Sequence, residues 1–317
     1  MKEGLVRMKK DKLNLTVPAI VFAVCAVAAS ALRILQYFTV VEPYRGFFTR
    51  FNFGIALFYA LIAFSAIYFG VSFFIKRKSV GFDAAVSKRP VSGIASLLCG
   101  AGAFASVYGE YADMGKDVSA YAVTSASTGS NSGKVLVFAA LIFGLCSAVF
   151  FIVYGVACIT GKNNGSAYKL LALAPVMWCL SRLVLRFTRT VSYVRVSELL
   201  LEMFALCAYC IFFMAFARSV GSIESDSSKW KVAAFGFIGA LFGIICFVPR
   251  LAALLAGHPE LIYVLSRADI SDLTTALFML VTVFSRICKN TVLTDENGAP
   301  VDENAEPAAE EANETEK

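Results

Sequence analysis

Residues 135–160 read VLVFAALIFGLCSAVFFIVYGVACIT and carry no charged side chain. A bilayer has a hydrocarbon core about 30 Å thick, which roughly 20 apolar residues cross as a helix. Only a helix or a closed barrel pairs all of its backbone groups within hydrocarbon. This stretch is therefore predicted to be a membrane-spanning helix.

Seven further apolar stretches of similar length occur along the chain. Of its 317 residues, 58% are hydrophobic and only 16% are charged, whereas about a quarter of the residues of a soluble protein are charged. The fold class is therefore all-α, a polytopic transmembrane helical bundle of about eight spans in a lipid bilayer. The candidate spans are Thr16–Val41, Phe51–Ile75, Val91–Gly109, Val135–Thr160, Tyr168–Phe187, Val196–Ala217, Lys231–Ala256 and Ile270–Cys288. The eighth has the shortest clean apolar run, because Arg267, Asp269 and Asp272 crowd its start, so a seven-span version stays open.

Lysine and arginine are concentrated before the first stretch and in alternate loops, which predicts a cell-membrane protein with both termini in the cytoplasm. Arg186, Arg189 and Arg195 argue against this orientation, because they fall on the opposite side. A cleaved signal peptide with residues 26–28 as its Ala-Val-Ala cleavage site is an alternative interpretation of the start. The apolar run continues to Val41, however, and is longer than that of a typical signal peptide.

The chain also shows weak internal similarity at an offset of 149 residues. This offset aligns residues 33–71 with 182–220 without gaps and places Arg33 on Arg182. It also lays the first span on the fifth and the second on the sixth. Two halves of four spans each share one orientation, so the alignment predicts a parallel 4+4 repeat, a layout found in transporters. The predicted units are a basic cytoplasmic N-terminus (1–15), a first half (16–160), a second half (161–290) and a tail (291–317).

The tail differs sharply in composition from the rest of the chain. From Asp295 to Lys317 it holds nine acidic residues and one lysine, a net charge of −8, against +14 on residues 1–294. A segment so poor in large apolar residues cannot bury enough surface to order itself. It is predicted to be a disordered, acidic cytoplasmic tail.

Charged residues within the predicted spans form the candidate functional site, because a charge near the bilayer centre costs about 2.5–3.5 kcal/mol on insertion scales. Two Arg–Glu pairs are predicted across the hairpin of the fifth and sixth spans. The members of each pair are equidistant from position 192, and residues equidistant from the turn of an antiparallel hairpin lie at equal depth. These pairs are Arg182 with Glu202, and Arg186 with Glu198. The candidate intramembrane charged site comprises Arg33, Arg182, Arg186, Glu198, Glu202 and Arg250.

Arg33 has no obvious partner within its own hairpin. Arg33 is expected either to extend towards the outer interface or to face the second half beside Arg182, where it would suit an anionic ligand. Arg250 follows Pro249, which is expected to break the seventh helix near its outer end.

The residues needed for common catalytic and metal sites are missing from the sequence. The pair Cys207-x-x-Cys210 lies within a predicted span, and the chain has a single histidine, His258. A zinc site or a redox motif would need further partners. No catalytic residue, metal site or cofactor is predicted, no enzymatic activity is expected, and the basic residues do not form a nucleic-acid-binding face.

Two functions are consistent with this sequence. The first, which the repeat and the buried charges favour, is a transporter or permease-like protein that moves a small solute or ion. The alternative is a structural or regulatory membrane protein that acts through its loops or its acidic tail on an unidentified protein partner. A wet cleft that reaches the charges would favour the first, and dry packing the second.

Overall fold

In a computed structural model, residues 13–41, 48, 52–83, 88–116, 132–161, 170–188, 196–221, 226–258 and 269–289 are described. Within these residues lie eight helices of 15 residues or more and two strands of three residues. The helices are α1 (Thr16–Thr39), α2 (Phe53–Ile75), α3 (Pro90–Lys116), α4 (Ser132–Thr160), α5 (Ala174–Thr188), α6 (Val196–Val220), α7 (Asp226–Leu255) and α8 (Ile270–Arg286); the strands are β1 (Val80–Phe82) and β2 (Ile287–Lys289).

Six of these helices, α1, α2, α3, α4, α6 and α7, are long and apolar enough to cross a membrane. The chain is therefore a helical membrane protein with several apolar helices, as the composition predicts. Helices α5 and α8 have only 15 and 17 residues, fewer than the roughly 20 that a bilayer core needs. The predicted count of eight spans is therefore not confirmed.

Helices α3 to α8 form a closed ring, in which each packs on the next and α8 packs back on α3. The remaining helices, α1 and α2, pack on each other and on α7, outside this ring. Helix α7 is consequently covered on most sides, and 83% of its most apolar window is buried. Large apolar side chains that remain exposed on α7 are confined to its end, at Leu251, Leu254 and Leu255.

Glycines permit the closest helix contacts in the ring. A Cβ atom on Gly93 of α3 would lie 2.5 Å from Ile159 Cγ1 and 2.8 Å from the Gly155 carbonyl oxygen of α4. A Cβ on Gly239 would lie 2.8 Å from Met279 Sδ of α8, and one on Gly243 would lie 2.8 Å from the Asp272 carbonyl oxygen. The Gly239-x-x-x-Gly243 spacing thus brings α7 against α8, as small residues commonly do in membrane bundles.

Aromatic rings fill the middle of the ring interior. Phe151 of α4, Phe213 of α6 and Phe278 of α8 come from alternate helices, yet their ring centroids are 5.1 to 6.3 Å apart. No two of these three helices are neighbours in the ring, so these side chains meet at its centre. We call Phe151, Phe213 and Phe278 the aromatic layer.

The two short strands pair at one end of the bundle, which we call the basal end; the opposite end is the apical end. Strand β1 lies between α2 and α3, β2 directly follows α8, and Gly81 is opposite Cys288 in their antiparallel register. All three residues of β1 are buried. The strands therefore tie the α2–α3 connection to the end of α8.

Two expectations about element boundaries need correction. Helix α7 continues through Pro249 to Leu255, so the proline lies inside the helix instead of breaking it. Helix α3 continues to Lys116 and α4 starts at Ser132, so the helices take up part of the segment 110–133 that the span boundaries leave as a loop.

The third helices of the two predicted halves pack differently, because α7 packs extensively on α6 whereas α3 has no comparable contact with α2. The internal repeat therefore stays a prediction, and the tail at 291–317 and most of the N-terminal segment 1–15 lie outside the described residues.

The close α3–α4 contact gives a direct test. We expect Gly93→Ala to destabilise the protein by about 1–3 kcal/mol, as overpacking of a buried contact does, because the new methyl group would meet backbone on α4. Gly70→Ala on α2 is the matched control, since its Cβ would have no atom within 4 Å. Thermal unfolding of the detergent-purified variants measures the difference, and equal melting temperatures would contradict the α3–α4 packing.

Candidate functional site: charged layers inside the helix ring

All six residues of the candidate site lie near the apical end, and the structure buries them. The exposed fraction is 7% or less for Arg33, Arg182, Glu198, Glu202 and Arg250, and the side chain of Arg186 is 14% exposed. The cost of burying so many charges requires that they be compensated by opposite charges or by hydrogen bonds.

Arg182 of α5 reaches across the ring interior to α8. Its Nη2 donates to Asp269 Oδ2 at 3.0 Å, its Nη1 donates to Ser271 Oγ at 3.4 Å, and Asp272 Oδ1 lies 3.9 Å from Nη1. Ser106 of α3 also donates to Asp269 Oδ2, at 2.6 Å. Helices α5 and α8 are not neighbours in the ring, so these long side chains join helices whose backbones do not pack together.

Asp269 is fixed in this place by the local structure of α8. It is the N-cap residue, and its Oδ1 accepts a hydrogen bond from the Ser271 backbone N–H at 3.0 Å. One carboxylate oxygen thus caps the helix and the other binds Arg182 and Ser106. The guanidinium of Arg182 also lies 5.2 Å from the ring centroid of the buried Trp178, one turn earlier on α5.

Glu202 of α6 binds two arginines from the neighbouring helices. Its Oε2 lies 3.1 Å from Arg186 Nε of α5, and its Oε1 accepts a hydrogen bond from Arg250 Nη2 of α7 at 2.5 Å. One carboxylate therefore connects three consecutive helices of the ring.

These contacts replace the ladder predicted from the hairpin. Arg186 pairs with Glu202 instead of Glu198, and Arg182 pairs with Asp269 instead of Glu202. Placing residues at equal depth about position 192 assumes that only the two helices of the hairpin supply partners. In the folded chain α8 supplies carboxylates to Arg182, and Glu202 is left to Arg186 and Arg250.

Glu198 connects this cluster to α1, the helix that also carries Arg33. Tyr37 donates a hydrogen bond to Glu198 Oε1 at 2.7 Å, and Arg33 Nη1 donates to Gln36 Oε1 at 3.0 Å. Arg33 does not extend to the outer interface, because only 2% of it is exposed. No described carboxylate pairs with it; its guanidinium lies instead 5.2 to 6.0 Å from the ring centroids of Tyr37, Phe48 and Phe58, a cation–π environment.

A second polar cluster lies at the basal end. Arg286 of α8 is 1% exposed, and its Nη1 donates to the Asp83 carbonyl oxygen at 3.1 Å while Nη2 donates to Cys158 Sγ at 3.3 Å. Arg89 pairs with the Asp83 carboxylate at 2.5 Å and donates to the Ser285 carbonyl oxygen. The guanidinium of Arg286 also lies over the ring of Tyr154.

Sequence reasoning missed several members of both clusters. In the sequence, Asp269 and Asp272 are considered only because they shorten the apolar run of the eighth span, although acidic residues at the start of a helix often cap it. Arg89 in the second loop and Arg286 at the end of the last span are among the basic residues from which the sequence predicts the orientation, and they have no further role there. Tyr37, Gln36 and Ser106 carry no signal in a single sequence that separates them from other residues of their helices.

Comparisons of the chain with protein-family models, with curated proteins and with solved structures give no match. Within the described ranges, no group of three histidine, cysteine, aspartate or glutamate side chains could hold a metal ion. A cavity of about 510 Å³ lies between the start of α1 and the end of α8 and is lined by Leu15, Ile20 and Phe284 among others. It includes none of the charged residues described above.

The shared carboxylate of Glu202 gives the sharpest test of the apical cluster. We expect Glu202→Gln to destabilise the protein by about 3–5 kcal/mol, because it removes the carboxylate that two buried guanidinium groups share. The double variant Glu202→Gln with Arg250→Gln should recover part of this loss. Thermal unfolding in detergent measures both, and a single variant as stable as the wild type would contradict the assigned ion pairs.

Proposed function

We propose that the protein is a transporter-like membrane protein that moves a small ion or polar solute through the interior of the ring of α3 to α8. The observation that carries this proposal is that the Arg182 cluster faces the ring interior instead of the lipid. Charged residues inside membrane bundles are rare and commonly mark ion or solute paths.

The order of residues along α8 supports the same path. From the apical to the basal end, this helix contributes Asp272, Thr275, Phe278, Thr282 and Arg286, all buried. At a rise of 1.5 Å per residue, Asp272 and Arg286 lie about 21 Å apart along the helix, with Phe278 between them. A charged layer at each end and an aromatic layer in the middle is the arrangement expected of a path closed at its centre.

The short helices fit this proposal. Helices α5 and α8 carry Arg182, Asp272 and Arg286. Their outward faces bear exposed apolar residues, among them Leu180 and Val184 on α5 and Leu273 and Leu277 on α8. We propose that both lie within the bilayer, which would give the eight spans predicted from sequence. Short or interrupted helices often form the binding site of transporters.

A second function, a structural or regulatory membrane protein, has two observations in its favour. The cavity of about 510 Å³ includes none of the charged residues, so it is not the wet cleft expected of a transporter. The other observation concerns Glu202. Glu202 binds Arg186 and Arg250 on the helices at either side, which is the arrangement of a permanent clamp. In that case the buried charges fix how the helices pack, and no ion passes between them.

Opening the aromatic layer distinguishes these two functions. We expect Phe278→Ala, reconstituted into liposomes with an entrapped pH-sensitive dye, to make the vesicles several-fold more permeable to protons or K⁺. The substitution removes a ring that closes the centre of the path. Dye fluorescence after an imposed pH or K⁺ gradient measures the leak.

Phe284→Ala is the matched control, since Phe284 lies on the same helix but is 46% exposed at the outside. It should leave permeability unchanged. Phe278→Leu, which removes less volume, serves if Phe278→Ala does not fold. Folded variants at position 278 that stay as tight as the control would favour the clamp over the transporter.

A further inference from the structure

We propose that Asp272 is a proton-binding site, a carboxyl group that holds a proton inside the ring. This inference rests on the proposed function only for the path by which the proton would travel. It concerns the chemical state of one side chain, which can be measured without transport.

The first support is the division of partners at Arg182. Asp269 takes the direct hydrogen bond of Arg182 at 3.0 Å, whereas Asp272 lies 3.9 Å from the same guanidinium, beyond hydrogen-bond distance. Among the described residues, no donor makes a hydrogen bond to the Asp272 carboxylate. The guanidinium of Arg182 thus faces two carboxylates, and it compensates the negative charge of Asp269 better than that of Asp272.

The second support is the position of the two acids on α8. Asp269 and Asp272 are three residues apart at the start of the helix, so they lie on the same face. Two neighbouring carboxylates that share a site repel each other, and protonation of one relieves the repulsion. Asp269 caps the helix and binds Arg182, so Asp272 is the member that gains from the proton.

The third support is burial together with unpaired polar atoms. Asp272 is 7% exposed, and a buried carboxylate that lacks hydrogen bonds is normally neutralised by a proton. Near it, Tyr209 Oη of α6 and Arg182 Nε are buried polar atoms without a hydrogen-bond partner within the described structure. Tyr209 Oη and the Asp272 carbonyl oxygen lie 2.5 and 2.8 Å from the point that a Cβ on Gly243 would occupy, so this hydroxyl is close to the start of α8.

The remaining charges around Asp272 are already engaged. Glu202 and Arg250 act on it electrostatically but bind each other at 2.5 Å. The titratable and charged groups near Asp272 come from every helix around it and comprise Arg182 of α5, Glu202 and Tyr209 of α6, Cys246 and Arg250 of α7, and Asp269 at the start of α8, with Glu110 of α3 acting on Arg182.

The test compares two isosteric variants, Asp272→Asn and Asp269→Asn. If Asp272 is neutral, its amide replacement keeps the same charge, so we expect a melting temperature within about 2 °C of the wild type. Asp269→Asn removes the counter-charge of Arg182 and should lower the melting temperature by clearly more. Equal losses for the two variants, or failure of Asp272→Asn alone to fold, would overturn the proposal.

Infrared spectroscopy of the wild-type protein in liposomes decides the protonation state directly. We expect a protonated-carboxyl band at neutral pH that shifts with isotope-labelled aspartate and is absent from Asp272→Asn. A wild-type spectrum without this band would overturn the proposal even if both variants failed to fold. Neither readout depends on flux. If Asp272 holds a proton but the Phe278 variants do not leak, the proposed path is contradicted and the proton-binding site is not.

Discussion

The structure depends on one constraint: charged side chains enclosed by apolar helices must find opposite charges within the bundle. Arg182 meets this requirement by reaching across the ring to Asp269, and Glu202 meets it by binding arginines from α5 and α7. An uncompensated charge in such surroundings costs several kcal/mol, so these pairs restrict how α5 to α8 can be arranged. The apolar side chains that fill the remaining space impose far weaker directional demands, since most of them could pack in more than one register.

The interior of the ring has three successive zones along its axis. The apical zone holds the arginines and carboxylates, the middle zone holds Phe151, Phe213 and Phe278, and the basal zone holds Arg286 with Asp83 and Arg89. The strands β1 and β2 lie beside the basal zone and hold the end of α8 in place. Helices α1 and α2 lie outside the ring, and Tyr37 of α1 contacts the apical zone at Glu198. This separation explains why Arg33, for which the sequence left either the outer interface or a place beside Arg182 open, lies instead among the aromatic rings of Tyr37, Phe48 and Phe58.

The sequence predicts part of this arrangement and not the rest, for a physical reason. Hydropathy identifies the long apolar helices because each segment of about 20 residues carries its own signal, and it marks the charges within them as exceptional. The burial of Arg182, Glu198, Glu202 and Arg250 agrees with this signal, whereas the burial of Arg33 is one of two positions that the sequence left open. Their partners do not, because Arg182 and Asp269 are 87 residues apart and meet only when the ring closes. Hairpin arithmetic considers adjacent helices alone, so it gave Arg182 and Arg186 the wrong carboxylates.

The most direct test of the account is a double-mutant cycle between Arg182 and Asp269, measured by equilibrium unfolding of Arg182→Gln, Asp269→Asn and the double variant. If α5 and α8 meet across the ring, the two substitutions should be strongly non-additive, with a coupling energy of about 1–3 kcal/mol, as residues in direct contact show. Effects that add to within about 0.5 kcal/mol would place the two side chains apart. That result would contradict the charged interior on which the ring, the path and the proton site all depend.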